Sequence, residues 1–287
     1  PDLLITIGLS MISKELKHFL REHPPKHHWH IHPGNRLNDS LQHLTEWLSV
    51  EPATILRKLV MEKDVHTDVS FQSFWDEKNN KSAIATETFM ENSDFGEFQA
   101  IYLTLKALPK AWHIQLANSL SVRYVNYLNG ILPEKTEVFC NRGTSGIDGC
   151  TSTAVGSQYI SEKNTLLITG DVAFLYDKNA FWNDLELVNL RILIINNSGG
   201  SIFKMIGGPK EQTAYNKLFQ THQPHDAKLT AQQYGLGYMA IRSANELQSA
   251  LPQFLDQQAK GQILEVFSSV ETNQSVLADF KQQLKTI

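Results

Sequence analysis

Short apolar runs alternate with amphipathic stretches along most of the chain. The runs are typical of buried parallel strands, and the stretches between them have apolar residues at helical spacing. From residue 96 onward the runs predict six strands, at residues 113–117, 136–140, 165–169, 191–196, 238–242 and 262–267. Because helices separate these strands, the pattern predicts an α/β fold with a doubly wound, parallel, six-stranded sheet.

The first 60 residues show a shorter version of the same pattern. Strands are predicted at 2–8 and 27–32, and helices at 10–23 and 40–48. We therefore expect part of an α/β domain over residues 1–60 and a larger α/β domain over 96–287. The polar region between them, residues 61–95, is predicted to be a linker with some helix.

Composition narrows the classes of function. The 287 residues carry a net charge of −4, which argues against binding to nucleic acid. No apolar run approaches the roughly 20 residues that cross a bilayer. Only two cysteines are present, too few for a secreted disulfide framework, and this favours a cytoplasmic protein.

Three histidines, His28, His30 and His32, alternate along one predicted strand. A metal site is one interpretation of this pattern. No acidic or cysteine partner follows at ligand spacing, so a structural role is the better interpretation.

Unusual polar residues follow two consecutive predicted strands. Asp171 comes after one strand, and Asn197 comes after the next. Carboxylate and amide oxygens suit Mg²⁺, and the N-terminus of the helix after Gly170 suits an anion. Gly199 and Gly200 allow close backbone approach, so the composite interpretation is a Mg²⁺–diphosphate site.

Each half of this pattern also has a simpler interpretation. Asp171 could cap a helix, and the Asn-Asn pair could form a turn. The chain contains neither a G-x-G-x-x-G dinucleotide fingerprint nor a G-x-x-x-x-G-K-[ST] phosphate loop. The two halves together, on consecutive strands of one sheet, favour the metal site.

The segment from Gly170 to Asn197, "GDVAFLYDKNAFWNDLELVNLRILIINN", resembles the thiamine diphosphate-dependent enzymes. There it binds the Mg²⁺–diphosphate end of the cofactor. Val172 departs from the commoner Gly-Asp-Gly form. This Gly-Asp-Val form is similar to the MenD-type family. Three further segments share the similarity: "NSLSVR" (118–123), "NRGTSGIDGCTSTAVG" (141–156) and "NNSGGSIF" (196–203). Members of this family are the 2-succinyl-5-enolpyruvyl-6-hydroxy-3-cyclohexene-1-carboxylate (SEPHCHC) synthases of menaquinone biosynthesis, and the similarity is strongest over 100–205.

The resemblance implies ligands for the cofactor and its metal. Mg²⁺, or Mn²⁺ in its place, would be held by Asp171, Asn197 and the backbone carbonyl of Gly199. Ile147 would be the apolar wedge that bends thiamine diphosphate. The other implied cofactor-binding residues are Gly170, Val172, Ala173 and Gly200.

The resemblance also implies residues that contact the substrates. Three residues, Ser119, Arg123 and Arg142, would face the substrate and the cofactor-bound intermediate. Ile202 and Phe203 would form an apolar wall. Lys14 would help to bind the second substrate, although its neighbour Glu15 stands where some relatives have arginine.

The implied activity is that of a transferase. It decarboxylates 2-oxoglutarate and adds the succinyl-semialdehyde carbanion equivalent to isochorismate, giving SEPHCHC. Arginine forks suit these anionic substrates. The resemblance also implies a full-length homo-oligomer, a dimer or tetramer, with active sites between subunits.

The chain begins directly with a predicted strand, after Pro1. The resemblance implies that a preceding domain, which holds the aminopyrimidine of the cofactor and an activating glutamate, is absent. We therefore expect the 287 residues to be inactive by themselves.

Two other functions are compatible with these patterns. One is another thiamine diphosphate-dependent 2-oxoacid decarboxylase or carboligase, although two arginines argue against a small neutral donor. The other is a non-catalytic α/β module that binds a nucleotide or a metal.

Overall fold

A computed structural model describes residues 2–8, 11–34, 39–61, 69–204, 211–257 and 260–287. The chain forms two compact units. The units are Pro1–Trp75 and Asp76–Ile287. Their boundary lies within helix α3 (Val69–Asn92), which occupies much of the range assigned to a linker. The domain limits drawn from the sequence stay a prediction.

A small parallel sheet organises the N-terminal unit. Its strands, in the order β1-β2-β3, are β1 (Leu3–Ile7), β2 (His27–Ile31) and β3 (Glu46–Leu48). Its helices are α1 (Lys14–Glu22) and α2 (Pro52–Met61). Ser13 caps α1, because its hydroxyl accepts a hydrogen bond from the backbone N–H of Leu16 at 3.1 Å. The predictions of β1, α1 and β2 are confirmed.

The helix predicted at 40–48 is wrong. The Asp39 carboxylate accepts hydrogen bonds from the backbone N–H groups of Gln42, His43 and Leu44, at 2.7, 3.3 and 3.3 Å. This local side-chain bonding favours a turn over a helix. Residues 46–48 then pair in parallel with β2 as strand β3.

The buried histidines of β2 bond to a neighbouring strand. The Thr6 hydroxyl on β1 lies 2.8 Å from Nε2 of His28 and 3.0 Å from Nδ1 of His30. Burial lowers the pKa of both imidazoles. These contacts give His28 and His30 a structural role between two strands.

The predicted six-stranded parallel sheet is confirmed in the C-terminal unit, where every neighbouring pair of strands is parallel. Its spatial order is β5-β4-β6-β7-β9-β8. The strands are β4 (His113–Leu116), β5 (Glu137–Cys140), β6 (Thr165–Gly170), β7 (Leu190–Asn196), β8 (Gly237–Ile241) and β9 (Gln262–Phe267). Every residue of β7 is buried, as expected for a strand in the centre of such a sheet.

Helices connect and cover these strands. They are α4 (Glu97–Ala107), α5 (Leu120–Tyr127), α6 (Cys150–Ser161), α7 (Asp171–Tyr176), α8 (Lys228–Gln233), α9 (Ala244–Phe254) and α10 (Val270–Leu284). The core includes Phe174 of α7 and Phe181 just after it, which pack against apolar residues of β6 and β7.

Apolar spacing also predicts a helix over residues 177–189, and this prediction is wrong over most of the segment. Lys178–Phe181 forms one 3₁₀ turn, and residues 182–189, all of them described, contain no helix. The side chain of Asn183 explains the break. It donates to the carbonyl of Ala180 at 3.3 Å and accepts from the backbone N–H of Leu185 at 3.2 Å.

Strands β4 and β6 are neighbours at the point where the winding of the sheet reverses. From β4 the chain continues to β5, toward one edge of the sheet. From β6 it continues to β7, toward the opposite edge. In such sheets the crevice at the carboxyl ends of these two strands is the usual place for a ligand.

Both cysteines, Cys140 and Cys150, are free thiols. Burial raises the pKa of Cys140 to about 11, so its thiol stays protonated at neutral pH. In the described part of the chain, no helix combines the length and apolar character needed to cross a bilayer. The cellular location stays a prediction.

Candidate functional site

A cavity of about 580 Å³ lies at the carboxyl ends of β4, β6 and β7 in the C-terminal unit. Its size suits a small-molecule ligand or cofactor. Nearly all the predicted site residues border it: Ser119, Arg123, Arg142, Ile147, Gly170, Asp171, Val172, Ala173, Asn197, Gly199, Gly200, Ile202 and Phe203. Lys14 is in the N-terminal unit, as the first residue of α1, and its role stays a prediction.

Asp171 directly follows β6 and is 4% exposed. Its Oδ2 accepts a hydrogen bond from Nε2 of Gln223 at 2.6 Å. Burial raises the pKa of Asp171 to about 6, although hydrogen bonds from Gln223 and from the backbone N–H groups of Val172 and Gly199 act in the opposite direction. The carboxylate is thus buried and held by neutral donors.

Asn197 follows the neighbouring strand β7. Its Nδ2 donates to Oε1 of Glu97, and also to the hydroxyl of Ser201 at 3.1 Å. Its Oδ1 is buried and has no hydrogen-bond partner among the described residues. An unpaired buried carbonyl oxygen costs about 1–3 kcal/mol, so a cation bound there would offset that loss.

The two glycines after Asn197 bring the loop close to another backbone segment. The N–H of Gly200 donates to the carbonyl of Gln220 at 2.5 Å. A Cβ at Gly199 would lie 2.6 Å from the same carbonyl oxygen, and Gly199 has φ of +154°. Glycine is therefore required at position 199 by both contact and conformation.

Gly199→Ala is expected to destabilise the ligand-free protein by about 2 kcal/mol, because the methyl group meets a backbone oxygen that cannot rotate away. Gly170→Ala is the matched control, since a Cβ there meets nothing within 4 Å and its φ is −82°. Urea unfolding of both variants measures the difference. Equal midpoints for the two variants would contradict the assignment.

Asn118 attaches the loop after β5 to the end of β4. Its Nδ2 donates to the carbonyls of Asn141 and Gly146, both at 2.7 Å. Its Oδ1 accepts from Nη1 of Arg142 at 2.8 Å. The Arg142 guanidinium is therefore fixed at the border of the cavity.

The turn between β4 and α5 places a second arginine at the cavity. Ser119 has φ of +71° and ψ of −127°, a positive-φ conformation that is uncommon outside glycine. Its carbonyl accepts a hydrogen bond from Nη1 of Arg123. Strained backbone of this kind concentrates at functional sites, in agreement with the position of Ser119 beside the cavity.

Apolar side chains form another part of the border. Ile147 packs against Ala117, Cys150 and Ala173. Ile202 and Phe203 lie on a 3₁₀ turn, Ser201–Lys204. These groups make part of the cavity border apolar.

Two buried residues, Glu97 and Gln223, lie behind the predicted ligands, and neither is predicted from the sequence. Gln223 is 52 positions from the carboxylate that it contacts. Glu97 resembles an ordinary acidic residue in a first helical turn. Burial raises the pKa of Glu97 to about 7, opposed by hydrogen bonds from Asn197 and Tyr124. No local pattern in the sequence identifies either residue.

The arrangement fits a hard cation next to an anionic ligand. The buried acidic residues Asp171 and Glu97 border the same cavity as Asn197, whose Oδ1 is unpaired. Arg123 and Arg142 border this cavity too. Oxygen donors of this kind suit Mg²⁺ or Mn²⁺. Within the described residues, no group of three or more His, Cys, Asp or Glu side chains could hold a metal, so amide or backbone oxygens would have to complete its shell.

Similar proteins are found among the thiamine pyrophosphate enzymes. The family described as "Thiamine pyrophosphate enzyme, C-terminal TPP binding domain" matches residues 127–266. Three relatives named SEPHCHC synthase, from Cytophaga hutchinsonii, Flavobacterium psychrophilum and Bacteroides thetaiotaomicron, are 38%, 36% and 36% identical. In each case the similarity covers 99% of this chain and 51%, 51% and 50% of the relative. The chain therefore spans about half the length of the curated relatives it matches.

Proposed function

We propose that this chain supplies the diphosphate and metal side of a cofactor site, because residues 127–266 match the C-terminal TPP binding domain of the thiamine pyrophosphate enzymes. Thiamine pyrophosphate is the same compound as thiamine diphosphate. The observation that carries the proposal is the common cavity of Asp171 and Asn197, in which Oδ1 of Asn197 is left unpaired.

The proposed reaction is that of the SEPHCHC synthases. 2-Oxoglutarate is decarboxylated, and the remaining acyl unit is transferred to isochorismate. When bound, thiamine diphosphate supplies the electron sink for the decarboxylation. Similarity along 99% of the chain to synthases of this name supports the proposal.

The cation would be held by the Asp171 carboxylate, Oδ1 of Asn197 and the carbonyl of Gly199. Mg²⁺ or Mn²⁺ would meet the diphosphate there, since both metals accept oxygen ligands from protein and phosphate together. The residues Gly170, Val172, Ala173 and Gly200 border the same cavity and would approach the diphosphate. Asp171 is already oriented by Gln223 and by backbone N–H groups, so it needs little reorganisation.

Arg123 and Arg142 would bind the substrate carboxylates. Each guanidinium is fixed by a hydrogen bond to the turn after β4, at Ser119 or Asn118. A fixed planar fork can bind a carboxylate with two parallel hydrogen bonds. Their positive charges would also retain the distal carboxylate of 2-oxoglutarate after the other carboxylate has left.

The apolar border would keep water away from the reacting carbon. Ile147 is proposed to support the bent cofactor, and Ile202 and Phe203 to form the wall against the substrate. Decarboxylation disperses charge, so a dry environment favours it.

The alternative is another thiamine diphosphate-dependent 2-oxoacid decarboxylase or carboligase. The cofactor side of the site would be identical. The two arginines at the cavity favour a donor with a second carboxylate, which supports 2-oxoglutarate over pyruvate.

The test uses the full-length protein with thiamine diphosphate and Mg²⁺. Incubation with 2-oxoglutarate and isochorismate is expected to release carbon dioxide and form SEPHCHC, detected by mass spectrometry. Pyruvate in place of 2-oxoglutarate is the control donor. Turnover of pyruvate but not of 2-oxoglutarate would favour the alternative decarboxylase or carboligase. No turnover of any 2-oxoacid would contradict both proposed functions. Inactivity of the 287 residues by themselves, and assembly into a dimer or tetramer, stay predictions.

A further inference from the structure

Glu97 is fixed at the start of α4 by contacts on its backbone. Its N–H donates to Oδ1 of Asn273 in α10 at 3.0 Å. The preceding residue, Gly96, approaches the same oxygen so closely that a Cβ there would lie 2.5 Å from it. The position of Glu97 is therefore set by the packing of two helices.

Its carboxylate is fixed as well. Oε2 accepts a hydrogen bond from the hydroxyl of Tyr124 at 2.9 Å. Tyr124 is itself buried, with its ring stacked on Phe98 at a centroid distance of 4.8 Å. With Oε2 held in this way, Oε1 is directed at Nδ2 of Asn197.

This contact decides which end of the Asn197 amide is left for a ligand. A side-chain amide has a donating end and an accepting end that differ little in shape. Oε1 of Glu97 and the hydroxyl of Ser201 both accept from Nδ2, so the donating end is turned toward them. Reversing the amide would place its oxygen against the Glu97 carboxylate.

We propose that Glu97 is a positioning residue, which holds the Asn197 amide so that Oδ1 is available to a divalent cation. This role rests on the cation site proposed above and assigns to it a residue outside the ligand set. Glu97 acts through Asn197, and its essential property is an oxygen that accepts from Nδ2. Outer-shell partners of this kind orient metal ligands in many proteins.

Substitution separates orientation from simple attraction between two charges. Glu97→Gln keeps the shape and a carbonyl oxygen that can accept from Asn197. Its new amide group would face the Tyr124 hydroxyl, which can also accept. Glu97→Leu fills the space but offers no acceptor to the Asn197 amide.

The experiment is a titration of the full-length protein with Mn²⁺ in the presence of thiamine diphosphate, followed by electron paramagnetic resonance. Glu97→Leu is expected to weaken Mn²⁺ binding by about 10–100-fold. Glu97→Gln is expected to bind within about threefold of the wild type, because the orienting hydrogen bond remains. Glu134→Leu is the matched control, an exposed glutamate paired with Lys110 on the surface, and should bind as the wild type does.

The outcomes distinguish this role from the proposed function. If the wild type binds no Mn²⁺, the cation site itself is wrong. If the wild type binds, and a folded Glu97→Leu binds equally well, the positioning role is overturned. It is also overturned if Glu97→Gln is as weak as Glu97→Leu, which would assign the effect to charge. Melting temperatures measured without ligands show whether each variant folds. If Glu97→Leu does not fold, the Mn²⁺ affinity of Glu97→Gln decides by itself.

Discussion

Replacing Asp171 with asparagine is expected to abolish Mg²⁺-dependent binding of thiamine diphosphate by the full-length protein. The substitution keeps the size of the side chain but removes the only charge among the three proposed cation ligands. Loss of an outer-shell partner alone weakens metal binding by about 10–100-fold, so loss of a charged ligand should exceed about 100-fold. Calorimetric titration with thiamine diphosphate, with and without Mg²⁺, measures the effect.

Asp184→Asn is the control for this prediction. Asp184 is exposed and lies on the same crossover between β6 and β7, but does not border the cavity. It should bind thiamine diphosphate as the wild type does. If Asp171→Asn binds with unchanged affinity and remains Mg²⁺-dependent, the cation site lies elsewhere. Binding of the diphosphate by a nucleotide site would show no such dependence on Asp171.

Most of the fold could be predicted because the central strands of the larger sheet, β6 and β7, are short runs of mostly apolar residues. The β7 run, for example, is buried at every position, so its sequence has one interpretation. The order of the strands in space depends on contacts between distant residues. That order became clear only from the structure.

The two wrong helices share a physical cause. In each region the apolar spacing favours a helix, but one short polar side chain bonds to nearby backbone groups. The Asp39 carboxylate accepts hydrogen bonds from three backbone N–H groups. The Asn183 side chain bonds to backbone groups before and after it in the chain. Hydrogen bonds of this kind compete with helix formation and leave little trace in the hydrophobic pattern.

Some residues of the candidate site could be predicted from the sequence and others could not. Asp171 and Asn197 stand at strand ends, and simple topology brings consecutive parallel strands together. Glu97 and Gln223 reach the same place from distant segments, through α4 and a loop. Their burial depends on the assembled unit, so their sequence neighbours give no sign of it. The proposed ligands could be predicted from the sequence, and the buried residues that contact them could not.

Replacing Arg142 with methionine is expected to lower kcat/KM for 2-oxoglutarate by about 100-fold or more. Each hydrogen bond from a guanidinium to a carboxylate contributes about 1.5–3 kcal/mol, and a fork makes two of them. Methionine keeps much of the apolar stem and removes both. Arg142→Lys should recover only part of the loss, because an ammonium group keeps the charge without the planar fork.

Steady-state kinetics of the full-length protein with several donors shows which carboxylate Arg142 binds. If it holds the distal carboxylate of 2-oxoglutarate, the preference for 2-oxoglutarate over pyruvate should fall in Arg142→Met, since pyruvate lacks that group. Arg242→Met is the matched control: Arg242 is exposed and stacks on Phe267, away from the cavity border. An unchanged preference in Arg142→Met, with kcat/KM close to that of the control, would remove Arg142 from substrate binding. The choice of 2-oxoglutarate would then have to depend on Arg123, whose guanidinium borders the same cavity.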